Sequence, residues 1–289
     1  MNRQNATSLG FIAIALWGLL ALLSVGSAPT PPFLLMTICF LIGGVLGLIW
    51  TVATGNIRKL SKIPLQIFIF GTLGLFGYHS LYFSALRHAP AAEASLIAYL
   101  WPLLIVLMSG LLPNERLSLQ HVSGAILGFF GAALIISGDI SDFNPNNLYG
   151  YLLALGCALI WSGYSVLSRK FDTVPTASVA VFCIGSAALS LPLHLILEDT
   201  VWPQNAIGWS SLILLGIGPV GLAFFVWDIA IKKGNIQIVG TASYAAPLLS
   251  TAFLVIAGIA TPSWSLGAAA IMIAAGALLA AGSSIQIKN

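Results

Sequence analysis

Apolar residues fill this chain in long segments that are separated by short polar connections. Each segment approaches the length of about 20 residues that an α-helix needs to cross roughly 30 Å of hydrocarbon. Proline, glycine, asparagine or a charged residue lies in each gap. The pattern predicts ten transmembrane helices, near residues 8–24, 32–53, 65–86, 92–111, 117–137, 148–168, 176–197, 206–229, 236–257 and 264–284. We therefore expect an all-α integral membrane protein with no separate soluble domain.

Composition supports a membrane location and excludes several classes of protein. Of the 289 residues, 58% are hydrophobic and 7% are charged, whereas a soluble domain carries about 25% charged residues. A net charge of +3 with so few charged groups provides no basic surface that could follow a phosphate backbone, so we expect no nucleic-acid partner. The three cysteines lie in apolar segments without metal-binding spacing. We expect no metal and no cofactor.

Basic residues are distributed unequally between the two sets of alternate connections. One set holds ten of the eleven Lys and Arg residues, and the other holds only Arg87. Because basic residues are retained on the cytoplasmic side of a membrane, both termini are predicted to be cytoplasmic. The acidic pairs Asp139/Asp142 and Glu198/Asp199 then fall outside.

The two halves of the chain match each other. The best matches, at a shift of 145 residues, pair 99–104 with 244–249 and Gly71 with Gly216, and a shift of 144 pairs Trp17 with Trp161. We predict two five-helix repeats, residues 1–140 and 141–289. Because five is odd, the second repeat enters the membrane with opposite polarity, which is the inverted-repeat arrangement of many transporters with a substrate site near the midplane. A duplicated structural protein is the alternative.

Aromatic residues with a polar atom fall at two depths. Those near segment ends are typical of the aromatic belt at the membrane surface: Trp50, Trp202, Trp209, Trp227, Trp264, Tyr149 and Tyr151. A hydroxyl or indole N–H near the middle of a span needs a partner or a wet cavity. We expect the mid-segment residues to share a cavity, although packing alone could explain any single one. They are Trp17, Tyr78, Tyr82, Tyr99, Trp101, Trp161, Tyr164 and Tyr244.

Prolines and glycines predict where the helices break or bend. Pro102 and Pro247 should each free one backbone carbonyl, that of Ala98 and that of Ser243, and a free carbonyl at this depth is tolerated only against protein or a water-filled cavity. A simple kink is the alternative. The third and eighth helices are predicted to bend during gating at Gly71, Gly74, Gly77, Gly216 and Pro219. Tight helix packing at these residues is the alternative.

His79 is the only ionisable residue deep in a predicted span. Such a residue is a functional candidate, either in proton coupling or in substrate binding, and a structural hydrogen bond between helices is the alternative. Glu93 is expected to stabilise the positive end of the fourth helix, and Asp228 to pair with Lys232. The chain has no zinc-protease motif, no pair of mid-span aspartates and no phosphate-binding loop, so we expect no enzyme.

Several runs resemble a known family: YLWP at 99–102, IWSGYSVLSRK at 160–170 and GNIQIVGTASY at 234–244. They resemble the EamA-type carriers of the drug/metabolite transporter superfamily, and within it the YddG-type bacterial aromatic amino-acid exporters. The resemblance covers essentially the whole chain.

This resemblance implies export of aromatic and other neutral amino acids across a bacterial inner membrane. We expect a monomer whose partners are a small-molecule substrate and the lipid bilayer. It implies a central cavity between the third, fourth, eighth and ninth helices, at Tyr78, His79, Tyr82, Tyr99, Trp101, Ser243 and Tyr244. No fixed cation is available for a substrate carboxylate except a protonated His79, so broad selectivity is expected. A non-transporting membrane receptor or an intramembrane enzyme is the alternative.

Overall fold

The computed structural model describes residues 1–55, 57–113, 115–136 and 145–286, and these residues form helices joined by short connections. Asp139, Asp142 and Lys288 lie outside the described residues. The main helices are α1 (Arg3–Gly26), α2 (Pro32–Ala53), α3 (Leu65–His88), α4 (Ala91–Ala98 and Trp101–Ser109), α5 (Leu119–Ile136), α6 (Leu148–Ser168), α7 (Ser178–Leu197), α8 (Ala206–Lys233), α9 (Ile236–Ala242 and Ala245–Ile256) and α10 (Trp264–Gln286).

Eight of these helices are long and apolar enough to cross a membrane. The other two, α4 and α5, contain the shorter apolar stretches Glu93–Ser109 and Leu119–Leu134. The chain is therefore an all-helical protein of the multi-pass type, and the full count of ten spans stays a prediction.

Four of the described helices are interrupted: α1 at Leu19, and α4, α8 and α9 at places where a proline follows or occupies the interruption. In α4 and α9 the second piece begins at Trp101 or Ala245, one or two residues before Pro102 or Pro247. A proline is tolerated in the first turn of a helix because the N–H that it lacks would have no partner there. In α8, Pro219 lies within a π-helical turn, Gly218–Leu222.

The prediction that Pro247 leaves the carbonyl of Ser243 without a hydrogen bond is wrong. This oxygen accepts a hydrogen bond from the amide of Ala246, at 3.0 Å, because the chain tightens into a turn between the two pieces of α9. The polar groups of the break are thus satisfied locally, within the backbone.

Two of the glycines assigned to bending lie in tight helix contacts. A Cβ atom at Gly71 would lie 2.3 Å from the ring of Phe182 in α7, and one at Gly74 would lie 2.4 Å from the ring of Tyr164 in α6. Real Cβ atoms do not approach other atoms so closely. Close packing of α3 therefore requires glycine at both positions, and a role in bending stays a prediction.

Candidate binding cavity

A cavity of about 480 Å³ lies inside the helix bundle, and its walls come from α1, α2, α3, α4, α6, α8 and α9. Its volume is within the range of about 300–1,000 Å³ that is usual for small-molecule sites. The resemblance implied walls from the third, fourth, eighth and ninth helices alone. The structure adds α1, α2 and α6.

The cavity extends toward one end of the bundle, which we name the Glu198 end. There the Arg87 guanidinium donates to Glu198 at 3.0 Å, and the backbone amide of Phe33 at the start of α2 donates to the same carboxylate at 3.0 Å. Ser24 and Leu86, near the adjacent ends of α1 and α3, line the cavity. Thr30 and Pro32, in and after the α1–α2 connection at the same end, line it as well.

The opposite end, which we name the Glu115 end, is closed by a polar network. Glu115 accepts hydrogen bonds from Arg3 at 3.0 Å, from Gln237 at 3.2 Å and from Arg169. The other terminal nitrogen of Arg169 donates to the carbonyls of Ile231 at 2.7 Å and Gly234 at 2.9 Å. This Glu115 network, formed by Arg3, Glu115, Arg169 and Gln237, joins α1, the connection before α5, the end of α6 and the start of α9.

An aromatic floor separates the cavity from the Glu115 network. The ring of Trp17 lies 4.9 Å from that of Trp227, 5.8 Å from that of Trp161 and 6.0 Å from that of Trp101, measured between centroids. Phe224 packs 5.7 Å from Trp161. Inclined ring pairs at such distances are favourable, so the floor is a closely packed layer.

Trp227 and Tyr151 are not belt residues, and their assignment to the membrane surface is wrong. Trp227 is 1% exposed and donates to the Ser165 hydroxyl at 3.1 Å, because α8 continues to Lys233 and places Trp227 well inside the bundle. Tyr151 is buried and donates to Glu93. The predicted pair of Lys232 and Asp228 is confirmed, at 2.8 Å.

Seven of the ten residues that were predicted to bind substrate line the cavity: Trp17, Tyr78, His79, Tyr82, Tyr99, Trp101 and Trp161. Pro219 lines it as well, and its carbonyl accepts from the indole N–H of Trp17 at 3.2 Å. The helix breaks and the mid-depth aromatic residues therefore meet in one place.

The other three predicted binding residues have structural contacts outside the cavity lining. Tyr164 stacks on Trp161 at 5.4 Å. Ser243 donates to the carbonyl of Val239 at 2.7 Å. The Tyr244 hydroxyl accepts from the amide of Leu103 at 3.1 Å and so joins α9 to α4 next to Pro102.

The sequence did not reveal the wall that α2 contributes, which consists of Pro32, Leu35, Met36, Cys39 and Phe40. These residues follow the helical spacing of a single face. Their side chains have the same apolar chemistry as a face that contacts lipid, so spacing alone could identify the face but not what it meets. Phe224 in α8 was missed for the same reason.

Comparison with known proteins adds the family. The model of the EamA-like transporter family matches residues 5–137 and again residues 148–282. The chain belongs to the EamA-like transporter family. The predicted resemblance to EamA-type carriers is confirmed, and the protein is a multi-pass bacterial membrane transporter.

Individual relatives agree with this family. The aromatic amino acid exporter YddG of Ancylobacter novellus is 48% identical over 282 residues, which cover 97% of this chain and 98% of that protein. The aromatic amino acid exporter YddG of Escherichia coli K12 is 30% identical, with 96% and 97% of the two chains covered. A solved crystal structure superposes on the EamA-like chain with a TM-score of 0.94 and 47% identity, and both chains are covered over 100% of their length.

Proposed function

We propose that this protein exports aromatic and other neutral amino acids across the bacterial inner membrane by alternating access through the central cavity. The observation that carries the proposal is the cavity lining, in which nine of the 25 described residues are Phe, Trp or Tyr and none is Lys, Arg, Asp or Glu. Aromatic walls stack on apolar or aromatic side chains, and a ring face attracts an ammonium group by about 0.5 to 2 kcal/mol. The two exporters named above support the same substrate class.

The proposed architecture is ten transmembrane helices in two inverted repeats, residues 1–140 and 141–289, with both termini cytoplasmic. Two matches to one family model, at 5–137 and 148–282, support the duplication. Interruption of both α4 and α9 just before a proline supports it too. In this orientation the Glu115 end is cytoplasmic and the Glu198 end faces out.

The described conformation is then open to the outside. The aromatic floor and the Glu115 network separate the cavity from the cytoplasm, so loading from the cytoplasm requires the Glu115 network to come apart. Substrate binding in the opposite conformation and its release at the Glu198 end complete an export cycle. The protein acts as a monomer, without a cofactor or enzymatic step.

Counterflow in proteoliposomes tests the proposal. Vesicles that contain the purified protein and unlabelled L-phenylalanine should accumulate labelled L-phenylalanine and L-tryptophan, but not labelled L-glutamate or L-lysine, because the cavity holds no side chain of opposite charge. Protein-free vesicles are the control. Absence of counterflow for every amino acid would refute the transport function, and accumulation of the charged amino acids alone would refute the substrate class.

Cysteine labelling tests the orientation separately. In a cysteine-free background, Thr200→Cys should react with an impermeant thiol reagent from outside the cell, and Ser61→Cys should not. Both positions are exposed in the connections, so access depends on the side of the membrane alone. The reverse pattern would contradict the cytoplasmic position of the Glu115 end.

A further inference from the structure

The four tryptophans of the cavity floor differ in what their indole N–H groups do. Trp17 donates to Pro219, and Trp227 donates to Ser165. Among the described residues, no group accepts a hydrogen bond from Trp101 or Trp161, although these side chains are only 4% and 3% exposed. Among the described residues, the side-chain N and O atoms that are fully buried and have no hydrogen-bond partner are three threonine hydroxyls, and neither indole N–H is among them. The two free indole N–H groups therefore have access to the cavity that Trp101 and Trp161 line.

His79 offers the opposite chemistry. Its Nδ1 lies 2.8 Å from the carbonyl of Leu75, and because a carbonyl oxygen only accepts, Nδ1 carries the hydrogen. In the neutral ring Nε2 is then an acceptor. Phe40 and Tyr78 pack against the ring with centroids at 5.1 Å, and no carboxylate of the described residues lines the cavity to pair with a charged imidazole.

His79 and Trp161 pack against the same two rings, those of Tyr78 and Phe224. Tyr78 lies 5.1 Å from His79 and 5.4 Å from Trp161, and Phe224 lies 5.9 Å from His79 and 5.7 Å from Trp161. Within the described part of the lining, Nε2 of His79 has no hydrogen-bond partner. The described lining thus contains two unpartnered donors, on Trp101 and Trp161, and one unpartnered acceptor, on His79, which shares two neighbouring rings with Trp161.

We propose that this arrangement orients a zwitterion: the substrate carboxylate accepts from the indole N–H groups of Trp101 and Trp161, and the substrate ammonium donates to Nε2 of His79. The inference rests on the proposed transport of amino acids and adds which protein group recognises each charge. An indole N–H only donates, so the floor distinguishes a carboxylate from an ammonium without a fixed cation. The site selects molecules that carry both groups.

Substrate analogues test this assignment in the wild-type protein. Competition against labelled L-phenylalanine in counterflow should be at least about ten-fold weaker for 3-phenylpropionate, which lacks the ammonium, and for 2-phenylethylamine, which lacks the carboxylate, because each loses a hydrogen bond to a charged group. Equal competition by either analogue and L-phenylalanine would overturn the proposal. If wild-type protein shows no counterflow of L-phenylalanine, the proposed function fails as well, and the two failures are distinguishable.

Variants test which residue recognises which charge. Trp161→Phe and Trp101→Phe remove one N–H each. In each variant, competition by L-phenylalanine and by 3-phenylpropionate should become about ten-fold weaker, while competition by 2-phenylethylamine should change little. His79→Leu should instead weaken competition by L-phenylalanine and by 2-phenylethylamine. His79→Gln keeps a donor for Leu75 and an acceptor for the substrate, so its loss of competition should be smaller.

A surface tryptophan provides the matched control. Trp202→Phe makes the same chemical change at a residue that is 47% exposed, and the relative competition of the three compounds should not change. The proposal would be overturned if the Trp variants weakened competition by 2-phenylethylamine and the His79 variants weakened competition by 3-phenylpropionate. An equal loss for all three compounds in every cavity variant would overturn it too. Size-exclusion profiles identify any variant that fails to fold, and the wild-type analogue comparison decides the question in that case.

Discussion

The two ends of the bundle each contain a buried carboxylate paired with an arginine, yet the described cavity lining reaches toward only one of them, the Glu198 end. Glu115 holds Arg169, whose other nitrogen reaches the carbonyls of Ile231 and Gly234 and so crosses from α6 to the α8–α9 connection. Glu198 holds Arg87 and the start of α2, which fastens α2, α3 and α7 into one wall. An ion pair closes the cavity only where it connects elements on both sides of it.

Positions that the predicted repeat relates differ between the two ends. Arg169 corresponds to Val25 at a shift of 144 residues, and Ile231 corresponds to Leu86 at a shift of 145. At the Glu115 end, Arg169 donates to the carbonyl of Ile231. At the Glu198 end, the corresponding Val25 side chain has no donor, and the corresponding Leu86 lines the cavity. Chemically different residues at these positions would make the two ends separate with different ease.

Removal of the central carboxylate at the closed end should have the largest effect. Glu115→Ala leaves the Arg169 side chain, which is 17% exposed, without its partner, and breaking a buried pair in this way costs about 3–5 kcal/mol. We expect a large loss of thermal stability in detergent, measured by the unfolding midpoint, together with loss of L-phenylalanine counterflow.

The control for this change is a basic residue at the same end. Arg58→Ala alters an exposed residue in the α2–α3 connection and should leave the unfolding midpoint within the error of the measurement. An unchanged midpoint for Glu115→Ala would mean that the Glu115 network does not hold this end together.

An added methyl group between α3 and α7 should have the next largest effect. Gly71→Ala places a Cβ atom within 2.3 Å of the Phe182 ring, and overpacking of this kind costs about 1–3 kcal/mol. The unfolding midpoint should fall. Gly163→Ala, in a helix but with no atom within 4 Å of the added Cβ, is the matched control and should not lower it. A stable, transport-defective Gly71→Ala protein would instead favour the bending role that the sequence suggested.

A cavity residue should affect transport more than stability. Tyr99→Ala removes a ring that lines the cavity at the break in α4, and loss of about 1.4 kcal/mol of ring contact corresponds to about ten-fold weaker transport. Counterflow of L-phenylalanine measures the loss. Tyr149→Ala, at a residue that is 61% exposed, should transport normally, and equal losses in both variants would argue against a specific role for the cavity.

The helices and much of the cavity could be predicted because the physics behind them is local. An apolar segment of span length becomes a helix, and the predicted bounds of 148–168 match Leu148–Ser168. A polar atom on a mid-depth aromatic residue is unusual in a bilayer, and this signal led to Tyr78, Tyr99 and Trp101, which all line the cavity.

What the sequence could not reveal depends on contacts between distant segments. Trp227 looked like a surface residue because the predicted segment ended near residue 229, whereas α8 continues to Lys233 and the Trp227 indole donates to Ser165 in α6. Tyr164 lies three residues after Trp161 in α6 but is outside the cavity lining, and no local pattern separates the two. Arg169 reaches three elements that are remote in sequence, so its closing contacts were not foreseen.

The arginine at the open end should matter least. Arg87 pairs with Glu198 at 3.0 Å, but its side chain is 40% exposed, and an exposed ion pair contributes about 0–1 kcal/mol. Glu198 also keeps the amides of Phe33 and Leu34 when the guanidinium is removed. Arg87→Ala should therefore change the unfolding midpoint and L-phenylalanine counterflow only slightly, whereas Arg169→Ala, at the closed end, should impair both. Comparable losses in the two variants would show that the wall at the Glu198 end depends on its ion pair as strongly as the closed end does, and that exposure and connectivity do not distinguish the two arginines.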